Sequence, residues 1–185
     1  MTITQEALKQ EGLNILKQFC ELNNMPMPKI HFVNKSKYGG CGWYENKVCY
    51  IVPSACATPA VNPGFKWSYP HYLVDRTLLG VICHEFGHYV HECLKYPKIG
   101  RLGLKITGYE PNMDERFAET MKVFLTNPDL LKHYNPKRYD YLTKRLKLKP
   151  VYTADWKTQL NIYGPVNQKY ITACENKIKY ANSQN

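Results

Sequence analysis

The sequence predicts an α+β fold, in which an N-terminal helix and a small sheet precede a mostly helical C-terminal half. Apolar residues recur at helical spacing over residues 5–24. Short segments rich in β-branched and aromatic residues follow between positions 30 and 52. From Asp75 onward the apolar spacing is again helical. These three patterns together favour helices packed on one small sheet.

The chain length of 185 residues is near the usual size of one domain. We therefore expect a single domain over residues 1–185. Its first part, residues 1–74, should hold the N-terminal helix, the sheet and a loop. Its second part, residues 75–185, should be helical and carry the chemistry described below.

The first helix is predicted by six apolar residues along one helical face, and Pro26 and Pro28 cannot continue it. The strand-like segments predict a small antiparallel-rich sheet, with Glu45-Asn46 as a hairpin turn. The six apolar residues are Leu8, Leu13, Ile15, Leu16, Phe19 and Leu22, and the strand segments are residues 30–33, 42–44 and 48–52.

Loop and helix boundaries follow from proline and glycine. Residues 53–70 are dense in Pro, Gly, Ala and Ser, which predicts a long loop that could line or cover a cleft. Asn127-Pro128 and Asn135-Pro136 each match an N-cap followed by proline at the first helical position. Gly164-Pro165 is expected to open the last helix.

Cysteine usage and hydropathy bear on location. The seven cysteines are an odd number, without the spacing of a disulfide framework or of a structural zinc site. The polar N-terminus lacks the apolar block of a signal peptide, and no apolar run approaches the length of a membrane span. We expect a cytoplasmic protein with reduced thiols and no membrane partner.

The formal charge of +10 is concentrated near the C-terminus. Residues 131–185 contain eleven Lys or Arg against three acids. One interpretation is a surface for nucleic acid or an acidic protein; the other is a solvated helical face that aids solubility. No recognition motif accompanies the charge, which favours the second interpretation.

The most informative motif is His84-Glu85-Phe86-Gly87-His88, inside an amphipathic helical pattern. His84 and His88 are one turn apart, so their imidazoles can bind one zinc ion side by side. Glu85 projects about 100° away from His84 around the helix, where its carboxylate can take a proton from a zinc-activated water. The alternative is a helix with two surface histidines and an incidental acid.

A third metal ligand is needed, because catalytic zinc sites normally have three protein ligands and keep the fourth position for water. His91 lies about 10 Å along the helix axis from His84, too far to share the ion. Glu115 and Glu119, one turn apart on a second predicted helix capped by Asn112, are better placed. Glu115 would bind zinc and Glu119 would accept a hydrogen bond from an imidazole. The alternative makes Glu115 part of a capping box and Glu119 a solvated acid.

The two motifs, His84-Glu85-Phe86-Gly87-His88 and Glu115-Arg116-Phe117-Ala118-Glu119, resemble those of the gluzincin metallopeptidases. That zincin-like family includes the catalytic domain of anthrax lethal factor and phage or mobile-element metallopeptidases. The resemblance covers roughly residues 75–130 and implies that Glu115 ligates zinc while Glu119 supports a histidine ligand. It also implies an oxyanion-stabilising tyrosine, for which Tyr109 is the candidate with an offset of one residue. Zincins commonly hold an extended substrate on an edge strand, for which residues 39–44 are the candidate here, although their two glycines also suit an ordinary bulge.

The predicted function is hydrolysis of peptide bonds in a peptide or protein substrate, with one zinc per chain and Glu85 as general base. The pattern also resembles ImmA/IrrE metallopeptidases, which would imply cleavage of a repressor. A SprT-like, DNA-associated peptidase would explain the basic C-terminal half, but would normally use a third histidine, for which His133 is the downstream candidate. A catalytically inactive zincin-like binding module is the last alternative.

Overall fold

The computed structural model describes residues 3–57, 76–163 and 168–184. Its architecture is α+β, with a small three-stranded sheet and helices over most of the remaining described chain. The helices are α1 (Gln5–Asn23), α2 (Leu78–Cys93), α3 (Met113–Thr126), α4 (Pro128–Tyr134), α5 (Pro136–Asp140), α6 (Trp156–Gln159) and α7 (Gln168–Ser183). The strands are β1 (Lys29–Phe32), β2 (Gly42–Glu45) and β3 (Val48–Ile51).

Helix α1 begins and ends nearly where the sequence predicts. The Thr4 hydroxyl accepts a hydrogen bond from the Ala7 amide and caps the first turn. The helix ends at Asn24, whose φ of 52° lies in the left-handed region. Its buried face meets α2, with the rings of Phe19 and Phe86 in edge contact at 5.7 Å.

The sheet differs from the prediction in its topology. Its strand order is β1-β3-β2, in which β2 and β3 form an antiparallel hairpin but β1 runs parallel to β3. The sheet is therefore mixed rather than antiparallel-rich, because the chain between β1 and β2 crosses to the far side of β3. The hairpin turn is also one residue later than predicted: Glu45 pairs with Val48, and Asn46 and Lys47 both adopt positive φ.

Helix α2 lies at the centre of the molecule, between α1, α3 and the sheet. Thr77 caps its N-terminus by accepting a hydrogen bond from the Gly80 amide. Gly87 permits the close crossing with α3, because a Cβ at this position would lie 2.8 Å from the Ala118 Cα. This crossing sets α3 beside the histidines of α2.

The C-terminal helices follow the predicted caps. The side chains of Asn127 and Asn135 accept hydrogen bonds from the amides of Leu130 and Arg138, and proline occupies the first position of α4 and of α5. A single π-helical turn, Tyr141–Arg145, extends α5.

The predicted loop over residues 53–70 begins with a short 3-10 turn, Pro53–Ala55. The part of that loop beyond residue 57, and the Gly164-Pro165 helix start, lie outside the described residues. Among the helices of the described ranges, none combines the length and apolar character that crossing a membrane requires.

Candidate metal centre

A cleft of about 510 Å³ lies between α2, strand β2 and the chain that leads into α3. Helix α2 contributes His84, Glu85 and His88 to its wall, and α3 contributes Glu115. Tyr109, from the chain before α3, also lines it. The residues that the sequence predicts for metal binding and catalysis thus border a single cleft.

The Glu115 carboxylate lies against both imidazoles. Its Oε2 is 3.1 Å from His84 Nε2 and 3.6 Å from His88 Nε2. This oxygen is buried and makes no hydrogen bond, so neither imidazole N–H points at it in hydrogen-bond geometry. An ion held tetrahedrally at about 2.0–2.2 Å separates its ligand atoms by about 3.3 Å. The three atoms therefore fit a shared cation.

Glu85 is a second carboxylate near the histidines. His84, Glu85 and His88 each present a potential ligand atom within 4.8 Å of the others, and this cluster could hold a metal ion. Glu115 Oε2 is buried and lacks a hydrogen bond, whereas the Glu85 side chain, on the same helix as the histidines, lies against Gly42 of β2. Glu115 is therefore the carboxylate of a second helix that lies against both imidazoles.

Gly42 of β2 makes room for Glu85. A Cβ at Gly42 would lie 2.9 Å from Glu85 Oε1 and 2.8 Å from the backbone oxygen of Tyr50. Glu85 is 6% exposed, and this burial raises the pKa of its carboxyl, against the opposing effect of His84 and His88. The carboxyl is therefore a better proton acceptor than an exposed glutamate.

Glu119 contacts the other side of the His84 ring. Its Oε1 lies 2.6 Å from His84 Nδ1, which fixes the orientation of the ring and leaves Nε2 for the cleft. Glu119 is itself 2% exposed and receives two hydrogen bonds of 2.8 Å from Lys122 Nζ. Burial raises the pKa of the Glu119 carboxyl, but Lys122 and His84 outweigh it and hold the value at about 2.

The carboxylates also control the protonation of His84. Burial lowers the pKa of this imidazole, but its contacts with Glu115 and Glu119 dominate and raise the value to about 10. Burial raises the pKa of Glu115, and the two histidines more than offset it, so that this pKa lies well below its ordinary value. In the ion-free protein the His84 imidazole therefore stays protonated at neutral pH.

Two aromatic residues frame the histidines. The Tyr109 ring centroid is 5.9 Å from that of His84, and 55% of the residue is exposed toward the cleft. The Tyr44 ring lies over His88 at 6.5 Å, while its hydroxyl donates to Glu92 Oε2 at 2.6 Å. The Tyr44 hydroxyl is thus engaged with Glu92, whereas the Tyr109 side chain lines the cleft and is largely exposed.

The remaining histidine candidates lie outside the ligand set. His91 is buried, its Nε2 donates to the Pro97 carbonyl at 3.1 Å, and its ring stacks on Phe117. This confirms the prediction that His91 is a cleft-wall or structural residue. His133 is half-exposed on α4, where it lies 3.6 Å from Asp129 Oδ2 and outside the cleft lining. His133, the downstream candidate of the SprT-like alternative, therefore does not line the cleft with His84 and His88.

Sequence reasoning missed Lys122 and Gly42. Lys122 lies three residues after Glu119, a spacing that ordinarily marks a solvent-exposed ion pair. Here the lysine side chain is 2% exposed, because this face of α3 packs into the molecule. Gly42 lies in the predicted edge strand, but its approach to Glu85 depends on tertiary packing.

Comparison with protein-family models, with curated proteins and with solved structures finds no match to this chain. The geometry of the cleft is therefore the guide to its function.

Proposed function

We propose that the protein is a zinc-dependent metallopeptidase whose ion is held by His84, His88 and Glu115. The observation that carries the proposal is the buried Glu115 Oε2, which lies 3.1 Å and 3.6 Å from two imidazole nitrogens without a hydrogen bond. Two imidazoles and one carboxylate are a donor set typical of catalytic zinc. The set leaves one tetrahedral position for water or substrate.

Zinc in this position would supply a Lewis acid that polarises the scissile carbonyl and lowers the pKa of nearby water to about 7. Glu85 accepts the proton of the attacking water at its carboxylate and then delivers it to the leaving amine. Its raised pKa supports both steps. The Tyr109 hydroxyl donates a hydrogen bond to the developing oxyanion.

Strand β2 supports an extended peptide as substrate. It is at the end of the strand order β1-β3-β2, so one of its edges has no partner strand among the described residues. This strand also borders the cleft, through Gly42, Trp43 and Tyr44. A peptide added to this edge would pass Glu85 and the two histidines with its backbone hydrogen-bonded to β2.

Metal content is the first test. The purified wild type should contain about one zinc per chain by elemental analysis, and His88→Ala and Glu115→Ala should contain much less. His133→Ala is the matched control and should keep the wild-type content. If stoichiometric zinc cannot be bound even after anaerobic reconstitution, the proposal is wrong.

Hydrolysis is tested separately. A peptide library incubated with zinc-loaded protein should acquire new termini detectable by mass spectrometry. Glu85→Gln should retain zinc and abolish these cleavages, because it removes the proton acceptor and leaves the ligands in place. A zinc-loaded wild type that cleaves no peptide would instead favour the inactive binding module.

A further inference from the structure

The chain between α2 and α3, residues 94–112, is strongly basic on its exposed side. Lys95, Lys98, Arg101 and Lys105 are all exposed. The segment contains one acid, Glu110, which is 2% exposed and paired with Arg138. The exposed charged side chains of residues 94–112 are therefore all positive.

Hydrogen bonds fasten this segment along α4, α5 and the π-helical turn. Asn135 Nδ2 donates to the carbonyls of Leu102 and Leu104 at 3.0 Å and 2.7 Å. The hydroxyls of Tyr134 and Tyr141 donate to the carbonyls of Lys105 and Lys98. The exposed cations of these helices therefore lie on stretches of chain that contact the segment. We define the basic surface as Lys98, Arg101, Lys105, Lys137, Lys144 and Arg145.

The charges of the basic surface are almost uncompensated. Within the ranges that the structure covers, Lys144 alone among the six has a carboxylate within 4.0 Å, the Asp140 Oδ2 at 2.8 Å. A solvated helical face usually intersperses both signs, and six exposed cations of which one is paired with an acid do not fit that description. Six exposed cations on two contacting stretches of chain instead suit a polyanion with regularly spaced charges.

The same segment also carries exposed aromatic rings. Tyr96 is 58% exposed and Tyr109 is 55% exposed, and both line the cleft. Tyr96 follows Lys95 directly and precedes Lys98 by two residues. A basic track with exposed aromatic rings is the combination that holds single-stranded nucleic acid, because bases stack on the rings while phosphates meet the cations.

We propose that the basic surface binds single-stranded nucleic acid, with the phosphate backbone on its six cations and a base stacked on Tyr96. The exposed rings favour this partner over an acidic protein segment, which has no flat aromatic bases to stack. The proposal goes beyond the peptidase function and does not depend on metal in the cleft. A nucleic acid bound here would reach the rim of the cleft and bring proteins associated with it close to Glu85.

The test is fluorescence anisotropy with a labelled 20-nucleotide oligothymidine at several salt concentrations, using the metal-free full chain. The affinity should fall steeply with salt, and the triple variant Lys98→Ser/Arg101→Ser/Lys105→Ser should bind at least tenfold more weakly. The slope of log affinity against log salt concentration should become about 2 smaller in magnitude. Each of the three lost phosphate contacts to a single strand accounts for about 0.7 of this change. Tyr96→Ala should also weaken binding by about tenfold, as expected for one lost stacked base.

The matched control is Lys17→Ser/Lys29→Ser/Lys35→Ser, which removes the same charge from exposed lysines on and near α1 and β1. It should bind within about twofold of wild type. An equal loss in this control would attribute binding to net charge and overturn the assigned surface. If polyglutamate of matched charge competes equally well, the partner is an acidic protein and the assignment to nucleic acid is overturned. If Tyr96→Ala binds the oligonucleotide as tightly as wild type, the proposed stacking of a base on Tyr96 is overturned.

Discussion

At the scale of single residues, the candidate site depends on side chains that hold the candidate metal ligands in place. Glu119 is buried with its carboxylate shared between His84 and Lys122. A buried carboxylate without a cation is costly, so Lys122 keeps Glu119 ionised and available to the imidazole. The site is therefore a chain of contacts from Lys122 through Glu119 to His84.

Lys122→Met should lower both stability and zinc affinity. Removing one member of a buried ion pair should cost about 3–5 kcal/mol in the free energy of unfolding. Zinc affinity should fall about 10–100-fold, because Glu119 no longer orients His84. Urea denaturation and chelator competition measure the two quantities, and Lys122→Arg should recover part of each.

Lys144→Met provides the comparison for Lys122→Met. Lys144 is also paired with an acid on its own helical stretch, Asp140, but this pair is exposed. Its loss should change the free energy of unfolding by no more than about 0.5 kcal/mol. Equal effects in both variants would contradict the role given to the buried pair.

Gly42→Ala should disturb Glu85. The added methyl would lie within 3.0 Å of both the Glu85 side chain and the Tyr50 carbonyl, so the strand or the carboxylate must move. We expect a loss of about 1–3 kcal/mol in stability and reduced peptide cleavage. Gly40→Ala is the control, because its nearest neighbour is 3.4 Å away; a comparable loss there would contradict a specific contact with Glu85.

At the scale of elements, the chain between α2 and α3 is positioned by one buried ion pair. The Arg138 guanidinium of α5 donates hydrogen bonds of 2.9 Å to both carboxylate oxygens of Glu110. Glu110 Oε1 also accepts hydrogen bonds from the Ile106 and Thr107 amides. These bonds hold the backbone next to Tyr109. An irregular segment thus acquires a defined position without its own helix or strand.

Arg138→Met should loosen this segment. The variant leaves the Glu110 carboxylate buried with a weaker partner, Arg116, and should lose about 3–5 kcal/mol in the free energy of unfolding. Trypsin should then cut after Arg101 or Lys105 faster than in wild type, which native-state proteolysis measures. Adding Glu110→Gln should recover part of the stability.

Lys157→Met is the control for this variant, because the Lys157–Glu175 pair is exposed at the surface. Its trypsin cleavage within residues 94–112 should match wild type. If Arg138→Met leaves the cleavage rate unchanged, the ion pair does not position the segment.

The sequence predicts local features of these elements better than their pairing. The Asn127 and Asn135 caps are confirmed, because a cap depends on residues a few positions apart. The parallel pairing of β1 with β3 was not predicted, because strand periodicity carries no information about which neighbour a strand selects. His84 and His88 follow from one helix, whereas Lys122 needs the packing of α3 against the rest of the fold.

At the scale of the whole molecule, the site links stability to pH. In the ion-free protein the pKa of His84 is raised from 6.5 to about 10, so its stabilising contribution is complete below pH 6.5 and lost as pH rises through 10. Glu119 has its pKa lowered from 4.5 to about 2, so its contribution is present above 4.5 and lost as pH falls through 2. The ion-free protein should be most stable between about pH 4.5 and 6.5.

Two other cleft residues modify this profile. The raised pKa of Glu85 also removes stability as pH rises above 4.5, in the same direction as His84. The pKa of His91 is lowered by burial, so it opposes the trend, adding stability as pH rises toward 6.5. Above pH 6.5 His84 and Glu85 therefore act in the same direction, and His84→Gln should remove the His84 part of the decline.

Zinc should reverse the alkaline decline. If zinc binds His84 as proposed, the ion and the proton compete for this imidazole, so zinc binding should release a proton and strengthen as pH rises. At a free zinc concentration 100 times the dissociation constant, the folded state gains about 2.7 kcal/mol. Urea denaturation at pH 5.5 and 8.5, with zinc or with a chelator, should show a larger zinc effect at pH 8.5. An effect of equal size at both pH values, or one that persists in His88→Ala, would mean that zinc stabilises the protein at another place.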